Sequence, residues 1–133
     1  NLNFRIMSNT LHVARNYEVK YSSTSAFNYK PNELYELLTE LDCSVYLNNE
    51  SVEDFEITRD DFNDAIAKLK NYYNLDEDLK EDIANRIRNL VCWDDDEKKS
   101  FDLNKGLEEV INMFVCFEKE SDQNTDILHF MYF

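Results

Sequence analysis

The run Ile127 to Phe133, ILHFMYF, constrains the fold more than any other stretch of this sequence. Apart from His129, every residue in it is apolar. Side chains of a strand point alternately to its two faces, so such a strand presents apolar surface on both and needs a covered position within a sheet. Its best partners lie at the other end of the chain. Between Asn3 and Ser22, Phe4 and Ile6, then Leu11 and Val13, then Tyr17, Val19 and Tyr21 share one parity, with Arg5, His12, Glu18 and Lys20 on the other. That alternation predicts two or three antiparallel strands with one wet face, separated by turns at Ser8 to Thr10 and Arg15-Asn16. The two ends of the chain are therefore expected to meet in one antiparallel sheet.

Between the ends the apolar period lengthens to that of a helix. After the polar loop Ser22 to Asn28, Pro31 suits a first helical turn, and Leu34, Leu37, Leu38 and Leu41 form a stripe behind it. Val45 to Leu47 and Val52 to Ile57 flank the turn Asn48-Asn49 as a small hairpin. Thr58 reads as the cap of a helix over Arg59 to Tyr73, with Asp60 and Asp61 in its first turn and Phe62, Ala65, Ile66, Leu69 and Tyr73 facing inward. A third helix begins at Asn74 or Asp76. It buries Leu79, Ile83, Ile87, Leu90 and Val91, and Asp82 and Arg86 are spaced to pair across one turn. Asp102 caps a fourth, with Leu103, Leu107, Val110, Ile111 and Phe114 as its stripe. Met113 to Phe117 is rich in strand formers, but helical spacing is sustained over several turns and favours helix to about Phe117. The expected architecture is α+β: one domain, 1–133, with a small antiparallel sheet of amino-terminal and carboxyl-terminal strands packed against about four helices.

With 133 residues, 43% of them hydrophobic, the chain has material for one core despite a net charge of −14. The charge is unevenly placed. Residues 1–30 carry +3 and residues 31–133 carry −17. An excess of this size argues against direct nucleic-acid binding, which needs Lys and Arg at phosphates, and against anionic membrane surfaces. No apolar run approaches the ~20 residues of a membrane helix, and no basic-then-apolar start suggests a signal peptide. The three cysteines, Cys43, Cys92 and Cys116, are widely spaced and odd in number, which suits a reducing, cytoplasmic setting better than a disulfide framework. A composition rich in Asn, Lys, Tyr, Phe and Ile suggests an AT-rich coding source, such as a low-GC bacterium or its phage.

Most catalytic and cofactor chemistries find no footing. Gly106 is the single glycine, so phosphate-cradling and dinucleotide turns, which need several, are disfavoured. The cysteines lack zinc-site spacing, and their apolar or acidic neighbours should keep them as inert thiols. Asn74, Asp76 and Asp78 imitate the start of a calcium loop, but Leu79 stands where glycine must turn it and Asn85 where a glutamate must close it. His12 and His129 would face each other only across the expected sheet, and solvent-facing or satisfied strand histidines are the simpler reading. No cofactor and no metal are expected.

The carboxylates are what remain. Glu50 to Asp64 holds seven of them against one base, Arg59, although Phe55, Ile57 and Phe62 mark the stretch as folded. From Glu33 to Asp64 there are eleven acids and one base, and from Asp76 to Glu97 nine acids and three bases. Acids four apart on a helix, as in Asp60 with Asp64 or Glu77 with Glu81, are spaced by about 6 Å of rise, comparable with successive phosphates along a nucleic-acid strand. Glu50, Glu53, Asp54, Glu56, Asp60 and Asp64 form one expected contact group, Glu77, Glu81 and the run Asp94, Asp95 and Asp96 another. The Asp94 to Glu97 run itself reads as a solvated connector. Phe55, Tyr46, Tyr72 and Trp93 are candidate aromatic anchors, since aromatics supply binding energy where charge supplies rate and specificity.

The function expected from these features is a non-catalytic acidic inhibitor that occupies the basic nucleic-acid-binding surface of a partner protein by nucleic-acid mimicry. By analogy, phage-encoded inhibitors of bacterial defence nucleases, of anti-CRISPR or anti-restriction type, share this profile. Two alternatives rest on the same residues: an immunity protein that neutralises a toxin nuclease, and a small carboxylate- or metal-dependent hydrolase built on Asp94 to Asp96 with a histidine. A third is a homodimer joined through the carboxyl-terminal strand as an exposed edge.

Overall fold

Strand and helix periods in the sequence resolve into an α+β structure, a computed structural model that describes residues 9–15, 18–20 and 27–133. Strands β1 (Leu11–Arg15) and β2 (Glu18–Lys20) are followed by helix α1 (Pro31–Glu40), β3 (Tyr46–Leu47), β4 (Asp54–Thr58) and α2 (Arg59–Lys70). Helices α3 (Glu77–Val91), α4 (Asp95–Lys99) and α5 (Leu103–Glu120) lead to the last strand, β5 (Ile127–Tyr132). The strand expected around Phe4 and Ile6 lies outside the described residues, as does most of the expected loop at 22–26.

One antiparallel sheet has the order β2-β1-β5-β4-β3. The chain ends meet in it as expected, with Leu11 opposite Tyr132 and Val13 opposite Phe130. The sheet also takes in the hairpin β3–β4, with Phe55 opposite Phe130 and Ile57 opposite Leu128. Strand β5 is thus the middle strand, hydrogen-bonded on both sides, which removes the expectation that it is an exposed edge for dimerisation.

Leu11, Val13, Phe55, Ile57, Leu128, Phe130 and Tyr132 face the helices and are buried. They meet Phe62 of α2 and Phe114 and Phe117 of α5 in an aromatic centre, where the Phe55–Phe130 and Phe62–Phe114 rings stack at 5.3 and 4.9 Å. Helices α1 and α3, α3 and α5, and α5 and α2 pack pairwise. The buried apolar residues join in one cluster. Gly106 of α5 lies where a Cβ would come within 3.2 Å of the buried Ile87 of α3 and closer still to the Phe101 ring, so glycine sets the approach of these two helices.

Each α-helix start carries a side-chain cap except that of α1, which has none and whose first residue, Pro31, brings no N–H of its own to satisfy. Thr58 Oγ1 accepts from the Asp61 N–H, Asp76 Oδ1 from those of Asp78 and Leu79, Asp94 Oδ1 from that of Glu97 and Asp102 Oδ1 from that of Lys105. Helix α1 closes with Asp42 in the left-handed region (φ 65°), its N–H donating to the Thr39 carbonyl and that of Cys43 to Leu38. This is the arrangement glycine normally makes at a helix end.

Four local expectations change. Helix α2 stops at Lys70 and the chain tightens into a 3-10 turn over Tyr72–Asn74. The shorter period turns Tyr72 inward (4% exposed), where its hydroxyl donates to the Lys80 carbonyl, and Tyr73 outward (60%). Their anticipated roles are exchanged. The Asp94 to Glu97 run is helical, capped by Asp94, instead of a loose connector. Arg86 pairs with Glu36 and Glu40 of α1 rather than with Asp82, because α1 packs beside that face of α3. His12, on the face expected to be wet, is 3% exposed, with Phe133 4.3 Å from its ring and Thr10 Oγ1 at 2.8 Å.

Candidate functional site

The alternation of β4 decides the fate of the central acidic stretch. Phe55 and Ile57 point into the core, and Asp54 and Glu56 point to the other side of the sheet. Phe55, fully buried between strands, is not available to a partner, and the expectation that it anchors one is corrected; Tyr72 fails for the same reason. Asp54 is not free either. Its Oδ1 lies 2.5 Å from His129 Nε2 and accepts at 2.9 Å from Asn48 Nδ2, tying the hairpin to the middle strand. Glu56 is opposite His129 in the register, with Tyr46 beyond it. The histidine acquires a carboxylate, but from β4 and not from the Asp94 run.

Glu50, Glu53, Asp60 and Asp64 are exposed, and with Glu56 they lack a cation within ion-pair distance among the described residues. Glu50 sits in the left-handed region (φ 59°) directly after Asn49 (φ 54°), a conformation that costs a residue with a side chain about 1 kcal/mol. Asp61, the remaining acid, accepts from the Ser44 N–H.

The one base of the stretch does not neutralise it. Arg59 is turned inward, its Nη1 donating to Glu118 Oε1 and Ser121 Oγ, each at 2.8 Å, and its Nη2 to the Asp122 and Thr125 carbonyls at 2.6 and 2.9 Å. Other cations are used alike. Lys30 donates to the Asn89 and Cys92 carbonyls at the end of α3 (2.7 and 2.6 Å), and Lys68 to the Leu41 carbonyl at the end of α1 (2.9 Å). Helix carboxyl ends carry unpaired carbonyls and partial negative charge, so cations belong there. Spent on backbone, they leave the surface carboxylates uncompensated.

The second expected group is divided by the fold. Glu77 and Glu81 are exposed near the start of α3, Glu77 with Lys80 at 3.0 Å. Trp93 and Asp94, Asp95 and Asp96 follow its far end, and the fifteen residues of α3 put about 22 Å between the two. Helix α1 likewise separates the Asp94 run from the hairpin, since Lys30 before its start touches the end of α3 while Asp61 meets Ser44 beyond its other end. The acids of the two expected groups thus occupy three places. Within the run, Asp94 and Glu97 are held: Asp94 caps α4 and Glu97 Oε2 accepts from the Trp93 N–H at 3.2 Å.

Tyr29 was not signalled by the sequence. It is 55% exposed with φ 64°, its ring centroid 6.5 Å from that of Trp93, itself 57% exposed. Neither periodicity nor motif marks a lone tyrosine beside a loop. Burial raises the pKa of Cys43 to about 12, with Asp61 adding to it, and raises that of Cys92, with Glu97 adding. Both thiols are therefore poor nucleophiles near neutrality. Among the described residues, no three His, Cys, Asp or Glu side chains are grouped to hold a metal, and no helix is long and apolar enough to cross a membrane. Comparison with family models, curated proteins and solved structures finds no match.

Proposed function

We propose that this protein is a non-catalytic inhibitor that binds the basic nucleic-acid-binding surface of another protein, offering carboxylates where that surface takes phosphates. The observation that carries this reading is the inward turn of Arg59, the one base of the stretch, while Glu50, Glu53, Asp60 and Asp64 on the hairpin and α2 make no ion pair among the described residues. Exposed like charges repel and weaken the fold that keeps them, and a cationic groove is the environment in which that cost is recovered as steering and specificity. A phage-encoded inhibitor of a bacterial defence nuclease and an immunity protein for a toxin nuclease would use this surface in the same way. The hydrolase alternative draws less support, because the carboxylate beside His129 is Asp54 of β4 and not one of the Asp94 run, whose first member caps α4.

Capture of partners from a bacterial lysate on the immobilised protein, with Asp60→Lys combined with Asp64→Lys as control, tests the reading. The captured nuclease should be lost in the control and should release labelled duplex DNA when the wild-type protein is added. Its affinity should fall steeply between about 50 and 500 mM salt, on the order expected when several charges are matched. Binding that ignores salt, or a partner that holds its DNA undisturbed, refutes the proposal.

A further inference from the structure

We propose that Tyr29 and Trp93 form an aromatic anchor for an arginine side chain of the basic partner, a second contact that rests on the reading above and adds the chemistry of the residue recognised. Two large aromatic side chains, each more than half exposed, stand edge to face where the start of α1 meets the end of α3. Tyrosine and tryptophan so placed are the residues that most often dominate binding energy. Trp93 is also held firmly. Lys30, 8% exposed, lies 4.7 Å from the indole centroid with its ammonium fixed by two carbonyls, and the Trp93 backbone N–H donates to Glu97 Oε2. An anchor fixed before binding loses little entropy on binding.

The local charge selects the occupant. Glu97 lies against the Trp93 backbone N–H, and Asp95 and Asp96, which follow Trp93 closely in the chain, are exposed and make no ion pair among the described residues. An aromatic pair in an acidic stretch of chain fits a planar, weakly hydrated cation that stacks through its face and donates hydrogen bonds from its edge. That is a guanidinium group; an ammonium is more strongly hydrated and offers no plane to stack. Lys30 occupies one side of the indole, its charge shared with the two carbonyls and set among Glu33, Lys98 and Glu97, so the arginine is received on the exposed side.

Nona-arginine and nona-lysine peptides serve as probes, with affinity read by calorimetry and contact by the emission of Trp93, the single tryptophan of the chain. Nona-arginine should bind about tenfold more tightly than nona-lysine, a factor within reach of one cation–aromatic contact, and should change Trp93 emission. Tyr29→Ala and Trp93→Ala should each bring nona-arginine close to nona-lysine without altering the latter, with circular dichroism confirming the fold. Asp95→Asn with Asp96→Asn, which leaves both rings in place, should also narrow the difference. Equal binding of the two peptides, unchanged by Trp93→Ala, overturns the anchor while the acidic-surface reading stands. Failure of both peptides to bind overturns both readings.

Discussion

Replacing Gly106 by alanine tests the packing that joins α3 to α5. Alanine is favoured over glycine inside a helix by about 1 kcal/mol, so on local grounds the substitution stabilises. Its Cβ, however, would stand 2.7 Å from Phe101 Cε1, 3.0 Å from Cζ and 3.2 Å from Ile87 Cγ2. The Phe101 ring is only partly buried and can swing outward, but Ile87 is fully enclosed and cannot. Overpacking of this kind costs about 1 to 3 kcal/mol, which leaves Gly106→Ala destabilising by ~0 to 2 kcal/mol after the helix gain. A double-mutant cycle with Ile87→Ala isolates the contact that cannot yield. In that background the Ile87 methyl is gone, and Gly106→Ala should be at least ~1 kcal/mol less unfavourable than in the wild type. Urea unfolding followed by circular dichroism gives the four stabilities, provided the slopes agree. Additive effects, or a clear gain in stability for Gly106→Ala alone, would refute the account of a glycine kept for close approach.

The hairpin gives a second prediction: Glu50→Gly should raise stability by about 1 kcal/mol by relieving its left-handed backbone, while weakening capture of the partner; a destabilised variant in thermal melts would contradict this. Arg59→Met removes the contacts to Glu118, Ser121 and two carbonyls and should cost about 3 kcal/mol in denaturant unfolding, whereas loss below ~0.5 kcal/mol would mean the network is incidental. Cys43 titrates higher in the folded than in the unfolded chain, so the folded state retains a proton that the unfolded state loses as pH rises. Stability should therefore fall from about pH 9 towards 12, and Cys43→Ala should lessen that fall in pH-dependent melts. Salt should act oppositely on folding and binding: screening of the excess acid raises the melting temperature of the isolated protein, and its fall with salt would count against surface repulsion.

The sheet and the helices were legible because their periods are local. ILHFMYF required a place within a sheet, and β5 is its middle strand, with one face buried and the other partly covered; Thr58, Asp76 and Asp102 announced their helices because a cap acts within one turn. The candidate site was legible only as composition. That the stretch from Glu50 to Asp64 is acidic follows from residues alone, but which acids face solvent without a partner depends on groups brought from elsewhere in the chain. His129 takes Asp54, Ser44 takes Asp61, and Glu118 with the carbonyls after α5 takes Arg59. Tyr72 and Tyr73 exchanged places because a single tightened turn rotates adjacent side chains across the boundary of the core.

The sequence by itself determined an α+β chain with joined ends, capped helices and a surplus of negative charge, since these follow from short-range periodicity and from counting. Only the tertiary structure decided where that charge remains uncompensated among the described residues, that the Tyr29 and Trp93 rings stand together, and that Lys30, Arg59 and Lys68 are turned to backbone carbonyls. Each of these depends on contacts between residues far apart in the chain, and a carbonyl at the end of a helix competes with a carboxylate for the same cation only once both are within reach.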